Sequence, residues 1–422
     1  MKVFKFGGAS VNSIERIQNV KEIIASHKDD MLVIIVSAMG KTTNALERVA
    51  ESFYNNNKEE SIQLFNVIRQ QHLDTARLLL TTHYLSCEAV LLDVFTEVEW
   101  ILQDKPVRDF DYYYDQLVCT GELMSTIIVS HYLNQEEINN TWLDVRDILR
   151  TDNTFRDAAI NWETTTRLVR EMFETKLNDT RMVITQGFIG CTDENESTTL
   201  GREGSDFTAA IFANILDAES QTIWKDVEGV MNADPKQFSE AQWIPELSFE
   251  EVIEMAFYGA QVIHPKTIKP LQNKSIPLIV KSFIDPTRPG TTISQKRIKD
   301  LPPIIIIKKN QALLYLNSPD FSFVGEKPVS NLYDIFLQHH IKPNLIQTGA
   351  ISIQVCIDDR PDKTAQLAAA AGFQFDVQLE KELELLTIRH YNNEILTRLT
   401  AGKDIILTQQ TKETVQVLYR SS

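Results

Sequence analysis

At 422 residues the chain is long enough for two or three domains with full hydrophobic cores, and a composition of 43% hydrophobic and 24% charged residues is that of an ordinary globular protein. A net charge of -16 without a clustered basic run argues against a nucleic-acid partner, while leaving room for a local basic pocket that takes a small anion. Cys87, Cys119, Cys191 and Cys356 are widely spaced with no Cys-x-x-Cys pair, which points to buried thiols rather than zinc or disulfides, and the longest apolar runs are too short to cross a bilayer. No membrane partner is therefore expected, and the cytoplasm is the expected compartment.

Short apolar runs without period-two alternation recur at Val3 to Phe6, Met31 to Val36, Arg181 to Thr185, Gln221 to Trp224 and Ile276 to Val280. Strands buried on both faces of a parallel sheet have this pattern. Between the first two, Asn12 with Glu15 three residues on resembles a capping box, and Ile14, Ile17 and Ile24 share a helical face, giving one strand-helix-strand crossover. From Leu46 to Leu133 the pattern is helical, broken near Asp104 to Asp111, and Thr141 to Val145 adds a further strand. Lys299-Asp300-Leu301-Pro302-Pro303 is linker-like, so a domain over residues 1–297 and a second region over 298–422 are expected. Beyond it, Ile304 to Ile307, Ala312 to Leu316, Asn331 to His339, Ile351 to Ile357, Leu385 to Ile388 and Val415 to Tyr419 fit two compact α+β modules. The expected fold class is α/β, an open and mostly parallel sheet with helices on both faces, followed by these modules.

Several turns carry chemistry. Lys5 ends an apolar strand, where a buried ammonium is costly unless an anion meets it, and Gly7, Gly8 and Ser10 leave access and a hydroxyl for a phosphate. Alone, this is equally a snorkelling lysine before a turn. Ser37 and Thr43 flank the loop after the next strand, at the carboxyl edge where open sheets bind ligands. Gly40-Lys41-Thr42 ends like a Walker A loop, but Ile35 stands where its first glycine belongs. Glu122, near a helix start, is either a partner for the helix dipole or a receptor for an ammonium. Arg202 lies between glycines at a helix entrance and suits a bidentate grip on a carboxylate, while Ser205 and Asp206 are either helix caps or site residues. Lys225, Asp226, Met231 and Lys236 fall in a loop after a further strand and suit a nucleotide or a solvated turn, and His264 is better read as structural.

In order along the chain, KFGGAS at 5 to 10, VSAMGKTTNAL at 36 to 46, TGE at 120 to 122, QGFIG at 186 to 190, TTLGREGSDFTAA at 198 to 210, DVEGVMNADPK at 226 to 236 and YGAQVIHPKTIKPL at 258 to 271 resemble the aspartate kinase family of the amino-acid kinase superfamily. The resemblance covers roughly the first 295 residues. It implies transfer of the ATP γ-phosphoryl group to the side-chain carboxylate of L-aspartate, with magnesium (Mg2+) bridging phosphate oxygens. By the same resemblance Lys5 meets the transferring phosphoryl, Asp206 orients it, Gly7, Gly8 and Ser10 contact phosphate, Arg202 clamps a substrate carboxylate, Glu122 takes the ammonium, and Thr43 and Ser205 add contacts. Ser37, Lys225, Asp226, Met231, Lys236 and Gln261 fall at positions around ATP.

Departures from the family pattern are Ala9 for threonine, Glu203 for glycine, Lys236 for arginine and Gln261 for a phosphate-contacting lysine. The last implies a weaker phosphate grip unless Lys266 or Lys41 substitutes. The tail resembles paired ACT-type regulatory modules, the second of them short, and this implies end-product control by lysine or threonine and a homodimer formed through these modules. A catalytically weak amino-acid sensor and another amino-acid kinase are the competing readings. Retention of Lys5, Arg202 and Asp206 disfavours the sensor.

Overall fold

The computed structural model describes residues 1–176 and 180–420. The chain forms two units. Unit 1 contains Met1–Val230, Trp243–Ile253 and Gln261–Ile298; unit 2 contains Met231–Gln242, Glu254–Ala260 and the chain from Lys299 onward. Two short stretches ahead of Ile298 thus pack with the second unit.

In unit 1 the chain runs β1 (Lys2–Phe6), α1 (Ile14–Ala25), β2 (Leu32–Val36), then five helices, α2 (Thr42–Tyr54), α3 (Lys58–Leu79), α4 (Tyr84–Gln103), α5 (Phe110–Val118) and α6 (Thr120–Gln135). It continues through β3 (Thr141–Leu143), α7 (Trp162–Lys176), β4 (Met182–Gln186), β5 (Ile189–Cys191), β6 (Ser197–Thr199), α8 (Gly204–Ile215) and β7 (Ser220–Lys225). The short strands β8 (Val230–Met231), β9 (Trp243–Ile244) and β10 (Glu246–Ser248) follow, then α9 (Phe249–Phe257), α10 (Pro265–Asn273), β11 (Leu278–Ser282) and β12 (Thr291–Ser294). Eight strands make one sheet in the order β10-β12-β11-β7-β1-β2-β4-β3, parallel at every neighbour except β11 with β12.

The unalternating runs are the reason for this layout. Every residue of β2 and β4 is buried, and each aliphatic side chain so enclosed stabilises by roughly 1.5–3 kcal/mol. The strand order reverses at β1, which has β2 on one side and β7 on the other, and such a reversal opens a crevice at the carboxyl ends of the strands. Lys5 is on β1, in register with Ile35 of β2 and Ile223 of β7.

Two local expectations are corrected. The cap of α1 is Ser13, whose hydroxyl accepts from the Arg16 N–H, and not Asn12. Neither Ser205 nor Asp206 caps α8; Glu203 occupies the cap position without a side-chain cap bond.

Unit 2 is built on one six-stranded antiparallel sheet. Its elements are β13 (Ile304–Asn317), α11 (Glu326–Gln338), β14 (Pro343–Thr348), β15 (Ser352–Asp358), α12 (Pro361–Ala371), β16 (Asp376–Arg389), α13 (Asn393–Thr400), β17 (Ile405–Gln410) and β18 (Thr414–Arg420). The order is β14-β15-β13-β16-β18-β17. Ile304 to Ile307 and Ala312 to Leu316, expected as separate strands, are one strand whose register shifts between Lys308 and Gln311 and again before Leu313, with Asn310 in a left-handed conformation. One apolar cluster gathers Leu314, Leu316, Leu332, Phe336, Val355 and Leu367; another gathers Ile305, Leu386, Ile388, Val415 and Val417 under α13. A third gathers Leu313, Leu345, Cys356, Leu383, Leu385, Leu407 and Leu418. Among the described residues no helix is long and apolar enough to cross a membrane. All four cysteines are buried and free, and burial pushes the thiols of Cys87, Cys119 and Cys356 up to about 12, so none of these three is poised as a nucleophile.

Candidate active site

A cleft of about 460 Å³ in unit 1 is lined by Lys5, Gly8, Ser37, Thr43, Glu122, Arg202, Ser205 and Asp206. These come from the end of β1, the loop between β2 and α2, and the starts of α2, α6 and α8. Glycines allow the segments to approach. A Cβ on Gly8 would lie 2.6 Å from the Ala38 carbonyl oxygen, and one on Gly187 would lie 2.7 Å from Ser205 Cα. The Ser125 hydroxyl of α6 donates to the Ser37 carbonyl at 2.8 Å, fastening α6 to the same loop.

Lys5 Nζ lies 2.6 Å from Asp206 Oδ1, with only 12% of the lysine and 4% of the aspartate side chain exposed. Breaking a pair so buried by deleting one partner costs about 3–5 kcal/mol, because the other charge is left without compensation. Glu122 is buried; the Ala38 N–H donates to its Oε1 at 3.3 Å and its Oε2 has no hydrogen-bond partner among the described residues. Burial pushes its carboxyl up to about 8, against the pull of that N–H and of the Lys5 charge. An unpaired, buried carboxyl oxygen in a cleft is a receptor for a cation that arrives with a ligand. Arg202 is exposed and has no ion-pair partner among the described residues, so its guanidinium is free to engage an anion.

The remaining expected residues lie elsewhere. Ser10 is fully buried, donates its hydroxyl to the Gly7 carbonyl at 2.6 Å and does not line the cleft. Gly7 does not line the cleft, although a Cβ there would sit 3.5 Å from Lys5 Nζ. Lys225 donates to the Val262 carbonyl at 2.7 Å, and Asp226 and Gln261 are exposed; none of the three lines the cleft. Met231 and Lys236 belong to unit 2. Neither cation considered as a substitute at Gln261 stands free in the cleft. Lys266 is ion-paired with Asp157, and Lys41 lines a different cavity of about 560 Å³ with Asn12 and His72. His264 is structural, as expected: it caps α10 and its ring nitrogen accepts from the Lys266 N–H at 3.2 Å.

Sequence reasoning missed Tyr114, Arg156, Phe188 and Thr199, all in the cleft wall. Three residues of that wall, Arg156 (φ 69°), Phe188 (φ 72°) and Glu203 (φ 55°), have left-handed backbones without being glycine, at about 1–3 kcal/mol each. Glu203 recovers part of this by accepting from the His264 N–H at 2.8 Å, which ties the start of α8 to the start of α10. No residue type signals such positions, because they are ordinarily filled by glycine.

The model of the amino acid kinase family matches residues 1–282. The chain belongs to that family. Within it, the lysine-sensitive aspartokinase 3 of Escherichia coli (strain K12) is 33% identical over 418 residues, covering 96% of this chain and 89% of that protein. The chloroplastic aspartokinase 1 of Arabidopsis thaliana is 32% identical over 371 residues, 84% of this chain and 63% of its own. Among amino acid kinase structures, E. coli aspartokinase III in complex with aspartate and ADP (R-state) superposes with a TM-score of 0.80 at 27% identity, covering 100% of this chain and 96% of that one. The same enzyme in complex with lysine and aspartate (T-state) gives 0.79 at 27% identity, covering 99% and 95%.

Proposed function

We infer that this chain is an aspartate kinase, which transfers the γ-phosphoryl group of ATP to the side-chain carboxylate of L-aspartate to give 4-phospho-L-aspartate, a step of amino-acid biosynthesis. The observation that carries this reading is the single cleft that holds the Lys5–Asp206 pair, the free Arg202 guanidinium and the unpaired Glu122 oxygen, in a chain that matches an aspartokinase over nearly its whole length.

The acceptor carboxylate is ionised at neutral pH, so the reaction needs no general base and rests on alignment and charge neutralisation. Arg202 grips one substrate carboxylate, and Glu122 receives the ammonium. Thr43 and Ser205 fix the remaining polar groups, while Ser37 and the backbone at Gly8 face the phosphates. Lys5, aimed by Asp206, meets the charge that develops on the transferring phosphoryl group. Among the described residues there is no cluster of three or more His, Cys, Asp or Glu side chains arranged for a metal. Magnesium bound with the nucleotide would supply charge neutralisation at phosphate oxygens. Lys225, Asp226 and Gln261 of unit 1 are assigned to the nucleotide on the family pattern.

The complex of a relative with lysine supports lysine as the feedback effector of this chain, acting through unit 2. Exposed Phe321, Phe323, Leu337 and Phe373 on unit 2 support a homodimer formed there. The deciding experiment is a hydroxylamine trap. With aspartate, ATP and magnesium it yields aspartyl hydroxamate, and lysine added to the same reaction lowers the yield. Absence of hydroxamate, with aspartate binding intact by calorimetry, would favour the sensor reading instead.

A further inference from the structure

Arg156 sits in the wall of the cleft in a conformation that a side-chain-bearing residue seldom adopts, and the fold pins it there. Its N–H donates to Asp115 Oδ2 at 3.0 Å, and the same buried carboxylate accepts from the N–H (2.8 Å) and the hydroxyl (2.7 Å) of Thr199, which also lines the cleft. The Arg156 guanidinium carbon lies 4.2 Å from the centroid of the Tyr114 ring, a further part of the wall. Its carboxylate neighbours, Glu47 at 3.4 Å and Asp111 at 3.3 Å, are long, exposed contacts that leave most of its five donors uncommitted.

Arg156 and Arg202 thus both line the cleft, beside an ammonium already neutralised by Asp206. A single guanidinium would hold a monocarboxylic amino acid as well as a dicarboxylic one. We propose that Arg156 is a second substrate-binding guanidinium of the cleft, and that with Arg202 it selects a dicarboxylic amino acid over a monocarboxylic one of the same size, such as asparagine. The inference rests on the aspartate kinase reading and adds a specificity-determining residue to it.

Arg156→Gly tests it without endangering the fold, since glycine is the residue a left-handed backbone favours. Arg156→Lys keeps the charge and loses the planar fork. The readouts are the KM values for aspartate and ATP, and calorimetric affinities for L-aspartate and L-asparagine. In R156G the aspartate KM and Kd rise at least about tenfold while asparagine affinity and the ATP KM stay within about twofold, and R156K falls between. An aspartate KM and Kd within about twofold of the parent, or an equal loss for asparagine, overturns the proposal. A parent protein that binds aspartate without forming hydroxamate sinks the kinase reading, and the affinity ratio between parent and R156G still decides Arg156. A parent that binds no aspartate overturns both.

Discussion

Two groups of polar and charged residues in unit 1 are held in opposite ways. Lys5, Glu122 and Asp206 are enclosed at the ends of β1, α6 and α8, where their ion pair, or the lack of a partner, is worth most. Asp226 and Gln261 are exposed, and Lys225 is occupied by a backbone carbonyl. A group that must neutralise charge on a reacting atom gains from a low dielectric and a fixed position. A group that only steadies a long polyanion can remain at the surface, where screening makes each contribution small.

That contrast can be broken with substitutions. Lys5→Met and Asp206→Asn each lower the hydroxamate rate at least ~100-fold while the ATP KM moves little, since both act on the phosphoryl group in transfer. If either retains more than about a tenth of the activity, the enclosed pair is not the centre of the chemistry. Next in size is the effect of Glu122. Its carboxyl, raised to about 8 by burial, is protonated at pH 7 in the empty cleft, and a substrate ammonium drives it to ionise. Aspartate binding at pH 7 then releases close to one proton and tightens as pH rises toward 8. Calorimetry in two buffers of different ionisation heat measures this, and Glu122→Gln abolishes the release. Because the folded value lies above the ordinary 4.5 of a glutamate, the empty protein is expected to lose stability as pH rises from that value through about 8.

The exposed group gives the smallest changes. Gln261→Lys improves ATP affinity only a few-fold, as expected of one screened cation. Glu203→Gly relieves a left-handed backbone but deletes the acceptor for the His264 N–H, so the unfolding free energy changes by less than ~1 kcal/mol. A large shift from Gln261→Lys would mean that this surface position carries more of the site than its exposure indicates.

The residues legible in the sequence are those where charge interrupts an apolar pattern. Lys5 stands out against Val3, Phe4 and Phe6, and Arg202 stands out between glycines. Arg156 stays hidden because what fixes it is the buried carboxylate of Asp115, 41 positions earlier in the chain. The Ser10 hydroxyl is taken by a local carbonyl, a competition that spacing alone does not reveal. In unit 2 the polar run Lys308-Lys309-Asn310 has the composition of a break between strands and is a bulge within one.

That bulged strand has a mechanical consequence. β13 and β16, each 14 residues long, pair with one another along nearly their full length, and each contributes side chains to all three apolar clusters of unit 2. Neither module owns a complete set of strands, which is why the C-terminal one reads as too short in the sequence. A truncation meant to excise only that module would strip its cover from the far half of both shared strands. Unit 2 is thus expected to melt in a single cooperative transition, both halves losing their order together.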